Sequence, residues 1–310
     1  MKEHLIKRLY ERLHKSMPDN VVADKPLAKL TTLRVGGKAS IFATVDTLAE
    51  LRLIIQGVKD YELPFLILGR GSNILISDEG LTGVVFQLGV DFSHMVVEGD
   101  EIRAGAAVTL ASLVQTALRN KLGGLSFAVG IPGTVGAAVT INAGAQGSAM
   151  SDLVKNVTYY STDCRLQKVG IDQLGYGYRT SRIPKDAVVV EARLGLSLSS
   201  TEIIKSQMET NWRRRKASQP VDMPNAGSMF KNPDNDSAGR LIEAAGCKGL
   251  KVGGAQVSEK HANFFINTDH ASAADFYLLM RSVAASVEET SGVVLEPEIK
   301  IIGDWSYASR

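Results

Sequence analysis

Two glycine-rich segments constrain this chain most. Gly69-Arg70-Gly71-Ser72-Asn73 directly follows the apolar run FLIL, which reads as a buried strand. Gly130-Ile131-Pro132-Gly133-Thr134-Val135-Gly136 leads through AAVTI to Asn142-Ala143-Gly144. Glycine lets a backbone approach a ligand closely and take positive φ. Successive N–H groups in such a turn make an anion-binding nest. Neither segment is a GxxxxGK[ST] phosphate loop. Neither fits the Rossmann fingerprint, because GRGSN runs into ILI and a turn rather than a helix. One such loop alone is as readily a tight turn. Two in one chain, with Ser, Thr, Asn and Arg among the glycines, point to a dinucleotide.

The rest of the chain suits a globular enzyme. Its 310 residues are 45% apolar and 22% charged, enough for two or three domains with large cores. Lys and Arg number 35 against 33 Asp and Glu, a net charge of +2, which leaves no footprint for nucleic acid or an anionic membrane. The two cysteines, Cys164 and Cys247, make no disulfide framework and suit a reducing cytoplasm. The N-terminus lacks a signal peptide's apolar centre, and no run approaches eighteen apolar residues. Five histidines at 4, 14, 94, 261 and 270 are scattered, so no metal site is expected.

Hydrophobic periodicity predicts an amphipathic helix over 1–17, closed by Pro18. A second is predicted over TLAELRLIIQGVKDY, with Leu48, Leu51, Ile54 and Ile55 on one side. Strands are expected at LRVGGKASIFATV, FLILG and GVVFQL, and strand signals dominate 91–107. A helix over 109–121 has Gly123 just beyond its end. VVVEARLGLSL (188–198) reads as one strand, and a basic helix follows over roughly 200–217, ending before Pro220, where the main boundary is placed. Beyond it lies an α+β unit. Ser237 and Gly246 bracket the helix AGRLIEAA, and Ser272 with Asp275 opens another whose stripe is Phe276, Leu279, Met280, Val283 and Val287. The segment VVLEPEIKII reads as a closing strand.

Seven segments, in order, resemble one family. They are PLAKLTTLRVGGKA, GRGSNILISDEGLTGVV, GIPGTVGAAVTINAGAQG, GYGYRTSRI, PNAGSMFKNP, SAGRLIEAAGCKGLKVGGAQVSEKHANFFIN and LEPEIKIIG. Together they cover roughly residues 26–303 and are similar to the UDP-N-acetylenolpyruvoylglucosamine reductases. Two departures are small: GAAV stands where a second glycine is common, and the strand at 188 follows GYRTS too soon for the extra loop of some members, so the chain resembles the shorter subtype.

The resemblance implies α/β and α+β architecture: a p-cresol methylhydroxylase-type FAD-binding double domain followed by a C-terminal α+β substrate domain. The expected partition is the N-terminal helix at 1–17, FAD-binding subdomains at 18–89 and 90–218, and a substrate-binding domain at 219–310. FAD would be held by Gly69, Arg70, Gly71, Ser72, Asn73, Ile131, Pro132, Gly133, Thr134, Val135 and Asn142. NADPH is the implied hydride source, and the enolpyruvyl ether of UDP-N-acetylglucosamine the acceptor, in a cytoplasmic monomer or weak dimer of cell-wall synthesis.

The cofactor carries the hydride, so the protein must orient, polarise and protonate. Hydride at the enolpyruvyl C3 leaves negative charge at C2 and in the adjacent carboxylate. Arg179 is the candidate stabiliser, since a guanidinium stays charged and grips a carboxylate with two bonds. Ser228 is the candidate proton donor to C2. Glu298, chosen over Glu296 on the family motif, would assist only if protonated, so burial is expected to raise its pKa. Tyr178, Lys216, Asn232, His261 and Lys300 fall at implied substrate contacts. The bland alternatives are a surface ion pair for Arg179, a turn-capping loop serine for Ser228, an exposed strand glutamate, and a structural histidine. Two other functions compete. An FAD-linked oxidase of an alcohol or sugar often carries flavin on a His near the first loop, and 69–77 has none. A flavin-binding module without turnover would have lost the Arg, Ser and Glu set, which is present.

Overall fold

The computed structural model describes residues 2–309, so Met1 of the expected first helix and Arg310 of the expected last domain lie outside the described residues. Contacts divide the chain into two compact units. One comprises Met1–Ala23, Ile41–Gly69 and Gly83–Arg214; the other comprises Asp24–Ser40, Arg70–Thr82 and Arg215–Arg310. This grouping differs from the sequential partition at 89 and 218. The stretches 24–40 and 70–82 group with the C-terminal residues, and the boundary falls inside the basic helix Thr201–Ser218 rather than before Pro220.

The first unit carries two cores. The helix Lys2–Ser16 buries Leu9 and Leu13, and the helix Leu48–Asp60 buries Leu51, Ile54, Ile55 and Val58. Thr47 and Glu50 close a capping box at the latter's start. Leu48, expected on the buried side, is exposed in the opening turn, before the stripe reaches the core. These helices share a core with a four-stranded sheet ordered Val21–Pro26, Lys38–Val45, Leu81–Leu88, Phe65–Ile67. The second core lies on a five-stranded antiparallel sheet ordered Leu166–Gly170, Val154–Tyr160, Val188–Gly195, Glu101–Gly105, Met95–Glu98. The helix Leu110–Arg119 packs there through Leu110, Leu113, Val114 and Ala117. It ends earlier than expected, with Lys121 rather than Gly123 taking the left-handed turn (φ 58°). The run 188–198 is broken at Leu196 into two strands, Val188–Gly195 and Ser197–Leu198, the second pairing with Leu122–Gly123 instead.

The second unit is α+β. Its antiparallel sheet is ordered Asn225–Ser228, Phe264–Asn267, Ala255–Val257, Lys251–Val252. The helix Ala273–Ser291 buries Phe276, Leu279, Met280, Val283 and Val287, the stripe its periodicity specifies. Its N-terminus has a capping box, Ser272 with Asp275, and a second cap from far away in sequence: the Asp78 carboxylate accepts the N–H groups of Ala273 and Ala274, each at 2.9 Å. The expected strand VVLEPEIKII is shorter, Lys300–Ile302, pairing in parallel with Ile74–Ile76. Pro297 cannot donate to a ladder and makes only an isolated bridge to Phe230.

Candidate active site

The first unit holds the second glycine-rich loop. Gly130 takes φ +73°. The loop is pinned behind its tip by the N–H groups of Leu110, Val135 and Gly136, bonded to Gly133, Val108 and Ala106. The amides of Gly133 and Thr134 donate to nothing among the described residues. Gly69, last residue of the preceding strand's exit, lies so close that an added Cβ would sit 3.0 Å from Thr134 Oγ1. The carbonyl of Gly69 accepts from Gln87 Nε2 at 2.9 Å. Val135 and Thr134 are buried, Ile131 is half-buried and Pro132 exposed.

Asn142, expected at the cofactor, has its side chain committed within the protein. Its Oδ1 accepts the Ser151 N–H at 2.9 Å, and its Nδ2 donates to the Gly177 carbonyl at 3.0 Å. That bond ties the glycine-rich segment to the turn bearing Tyr178 and Arg179. Gly177 and Thr180 bridge to close this turn, and Arg179 takes φ 56°. Arg179 is half-buried; its Nη1 donates to the Gly144 carbonyl at 3.0 Å, and its guanidinium carbon lies 5.6 Å from the Tyr178 ring centre. Tyr178 is exposed.

Sequence reasoning passed over Tyr176, two residues before Tyr178. Its hydroxyl is buried without a hydrogen-bond partner among the described residues, and burial pushes its pKa upward. A tyrosine in a motif read for its arginine gave no separate signal.

The second unit holds the first glycine-rich loop from Arg70 onward. Gly71 takes φ +61°, and a Cβ there would lie 2.2 Å from the Leu30 carbonyl oxygen, so only glycine fits. Its carbonyl accepts the Thr32 N–H, while the amides of Gly71 and Asn73 make no hydrogen bond among the described residues. Arg70 is exposed, and Ser72 and Asn73 are half-buried. Asn73 meets the C-terminal candidates directly: its Nδ2 donates to the Glu298 carbonyl at 3.4 Å, and its carbonyl accepts the Lys300 N–H at 3.1 Å.

Ser228 and Glu298 are neighbours by backbone. The Glu298 N–H donates to the Met229 carbonyl at 2.9 Å and the Lys231 N–H to the Glu296 carbonyl at 2.8 Å, so residues 229–231 and 296–298 run side by side. Glu298 is half-buried, whereas Glu296 is exposed and pairs with Lys231 at 2.5 Å. Gly227, at φ +76°, turns the chain just before the half-buried Ser228. Among the described residues the Ser228 hydroxyl has no hydrogen bond of its own.

The remaining candidates divide. His261 is half-buried; burial, then the charge of Lys248, lowers its pKa, and its Nδ1 accepts the Asn263 N–H at 3.2 Å. Asn232 accepts the Ala238 N–H at 3.1 Å, which gives its side chain a role at the start of a helix. Lys216 is exposed, and its carbonyl accepts from Lys260 Nζ. Lys300 is exposed on its short strand. Asn263, fully buried behind Ser228, was not singled out, although it lies inside the quoted HANFFIN run. Among the described residues, no group of three or more His, Cys, Asp or Glu could hold a metal ion, and no helix is long and apolar enough to cross a membrane.

Comparisons with known proteins match most of the chain. Residues 219–302 match the family profile described as UDP-N-acetylenolpyruvoylglucosamine reductase, C-terminal domain, and residues 39–170 match an FAD binding domain. The UDP-N-acetylenolpyruvoylglucosamine reductase 2 of Symbiobacterium thermophilum is 42% identical over 92% of this chain and 93% of its own length. The reductase of Bacillus subtilis is 37% identical over 96% and 99%. The crystal structure of the corresponding reductase from Thermus caldophilus superposes with a TM-score of 0.80 at 38% identity, covering 91% of this chain and 98% of that one.

Proposed function

Because the chain belongs to the UDP-N-acetylenolpyruvoylglucosamine reductase family, we propose that Arg179, Ser228 and Glu298 steady and protonate the enolpyruvyl ether as it is reduced, with NADPH as the reductant. The chain is an FAD-dependent oxidoreductase that reduces UDP-N-acetylenolpyruvoylglucosamine in peptidoglycan synthesis, built from a p-cresol methylhydroxylase-type FAD-binding domain and the family's C-terminal domain. The oxidase alternative finds no support in these relatives.

FAD fits the residues present. The amides of Gly71, Asn73, Gly133 and Thr134, unbonded among the described residues, are donors for its phosphates, and Gly71 tolerates no side chain. When bound, the flavin supplies a carrier that accepts hydride from a nicotinamide and delivers it to the alkene C3. Ser228 then gives its proton to C2, and Glu298 sits beside the carboxylate in which charge accumulates. Arg179, braced on Gly144, holds that carboxylate through its guanidinium. Tyr178, Lys216, Asn232, His261 and Lys300 bind the UDP-sugar. The protein works in the cytoplasm as a monomer or weak dimer; the free thiols of Cys164 and Cys247 suit the reducing compartment.

One observation carries the assignment: the 2.9 Å bond from Glu298 N–H to the Met229 carbonyl, which runs the chain at Glu298 beside the residue that follows Ser228. The test is NADPH consumption by purified holoenzyme with and without the enolpyruvyl substrate, beside Ser228→Ala. Consumption should require the substrate and fall by about 10²–10⁴-fold in the variant, while NADPH still bleaches the flavin. Equal consumption without substrate, at the expense of oxygen, would sink the reductase reading.

A further inference from the structure

We propose that Asn263 is a positioning residue for the reaction, holding the Ser228 hydroxyl on line with the substrate through a three-bond clamp on the residues that follow it. The inference rests on the reading of Ser228 as proton donor. It starts from an irregularity in the sheet. Strands Asn225–Ser228 and Phe264–Asn267 pair at Asn225↔Ile266 and Ser228↔Phe264, with the register shifted between these pairs. Such a break leaves backbone groups without ladder partners and re-aims the side chain beside it.

Asn263 supplies the partners just past the Ser228↔Phe264 pair, where the strand ends. Its backbone carbonyl accepts the Met229 N–H at 2.9 Å. Its side-chain Oδ1 accepts the Phe230 N–H at 3.0 Å, and its Nδ2 donates to the Phe230 carbonyl at 2.8 Å. With Glu298 N–H on the Met229 carbonyl, every backbone polar group of Met229 and Phe230 is paired, three of the four by one residue. Asn263 is 2% exposed, as is Phe230, and Met229 is 0% exposed, so water cannot substitute. A short side-chain amide offers both groups at this reach: a carboxylate would face the Phe230 carbonyl with two acceptors, and a hydroxyl reaches one group.

The clamp has a purpose beyond stability. Gly227, at φ +76°, gives the chain a swivel immediately before Ser228, and the hydroxyl has no bond of its own among the described residues. Its direction is therefore set from the C-terminal side, by Met229 and Phe230. The backbone N–H of Asn263 donates to His261 Nδ1, so the same residue also fixes the face His261 turns outward. Displacing a reacting group by about 1 Å costs on the order of 10²-fold in rate.

The experiment separates the half-reactions in holoenzyme and normalises each rate to bound flavin, so a smaller folded fraction does not imitate a slower step. Asn263→Asp is compared with wild type and Ser228→Ala across pH. Reduction of the flavin by NADPH should stay within about twofold of wild type in Asn263→Asp. Reoxidation by the enolpyruvyl substrate should slow roughly ten- to hundredfold. It should recover relative to wild type as pH falls, because the protonated carboxyl regains a donor for the Phe230 carbonyl. If Asn263→Asp loses flavin, Asn263→Ser, which keeps one acceptor, is read in the same assay and should show the slow reoxidation without the recovery. Reoxidation of Asn263→Asp at the wild-type rate, or slowed equally at all pH, overturns the clamp. Wild-type reoxidation in Ser228→Ala instead overturns the proton-donor reading, which is a separate outcome.

Discussion

The Tyr176 hydroxyl stands out at the scale of single residues, because burial without a partner costs a hydroxyl about 1–3 kcal/mol. Tyr176→Phe removes the unpaired group and keeps the ring. Its thermal midpoint should match or exceed that of wild type; a clear drop would mean the hydroxyl is bonded in solution. His261 makes an opposite kind of prediction. Its pKa is held below the ordinary 6.5, chiefly by burial, so the unfolded chain binds a proton there more readily than the folded one. Stability therefore declines as pH falls below 6.5, through the window down to the lowered native value. His261→Gln should flatten that part of the stability–pH curve measured by denaturant unfolding, and an unchanged slope would assign it elsewhere.

At the level of helices, strands and loops, the caps are the clearest local determinants. Ser272 closes its box within four residues, but Asp78 reaches Ala273 and Ala274 from a loop 195 residues away. Asp78→Ala and Ser272→Ala should each lower unfolding free energy by about 1 kcal/mol in urea titrations. A neutral Asp78→Ala would show that Ser272 and Asp275 satisfy that end alone. The contrast also shows what the sequence makes legible. Ser272, Asp275 and the stripe from Phe276 to Val287 follow a local rule and are readable from spacing. Asp78 and Asn263 act through partners remote in sequence, where no periodicity reports them. The same limit explains the two misread strands: apolar alternation at 293–302 and 188–198 was real, but Pro297 and the switch of partner at Leu196 cut it short. Ser228, Glu298 and Arg179 are proposed from an ordered set of motifs rather than from their own surroundings, and spacing gives no sign that the Asn142 side chain also braces Ser151 and Gly177.

Across the whole molecule, the family profiles account for FAD and the C-terminal domain, while the two compact units are threaded through one another in sequence. Cofactor binding should stabilise the fold by mass action, by about 2.7 kcal/mol at a hundredfold excess over Kd. Stripping FAD should lower the melting temperature, and titrating it back should raise the midpoint with ligand concentration; a midpoint indifferent to added FAD would mean the apoprotein no longer binds it. The bond between Asn73 and Glu298 joins residues 225 apart, and the strand Ile74–Ile76 beside it pairs with Lys300–Ile302. A ribosome adding about 5–20 residues per second leaves that early strand waiting roughly ten to fifty seconds for its mate. During synthesis the apolar triplet Ile74-Leu75-Ile76 is thus an unclaimed edge, open to chaperones and to neighbouring nascent chains until Lys300–Ile302 has been made.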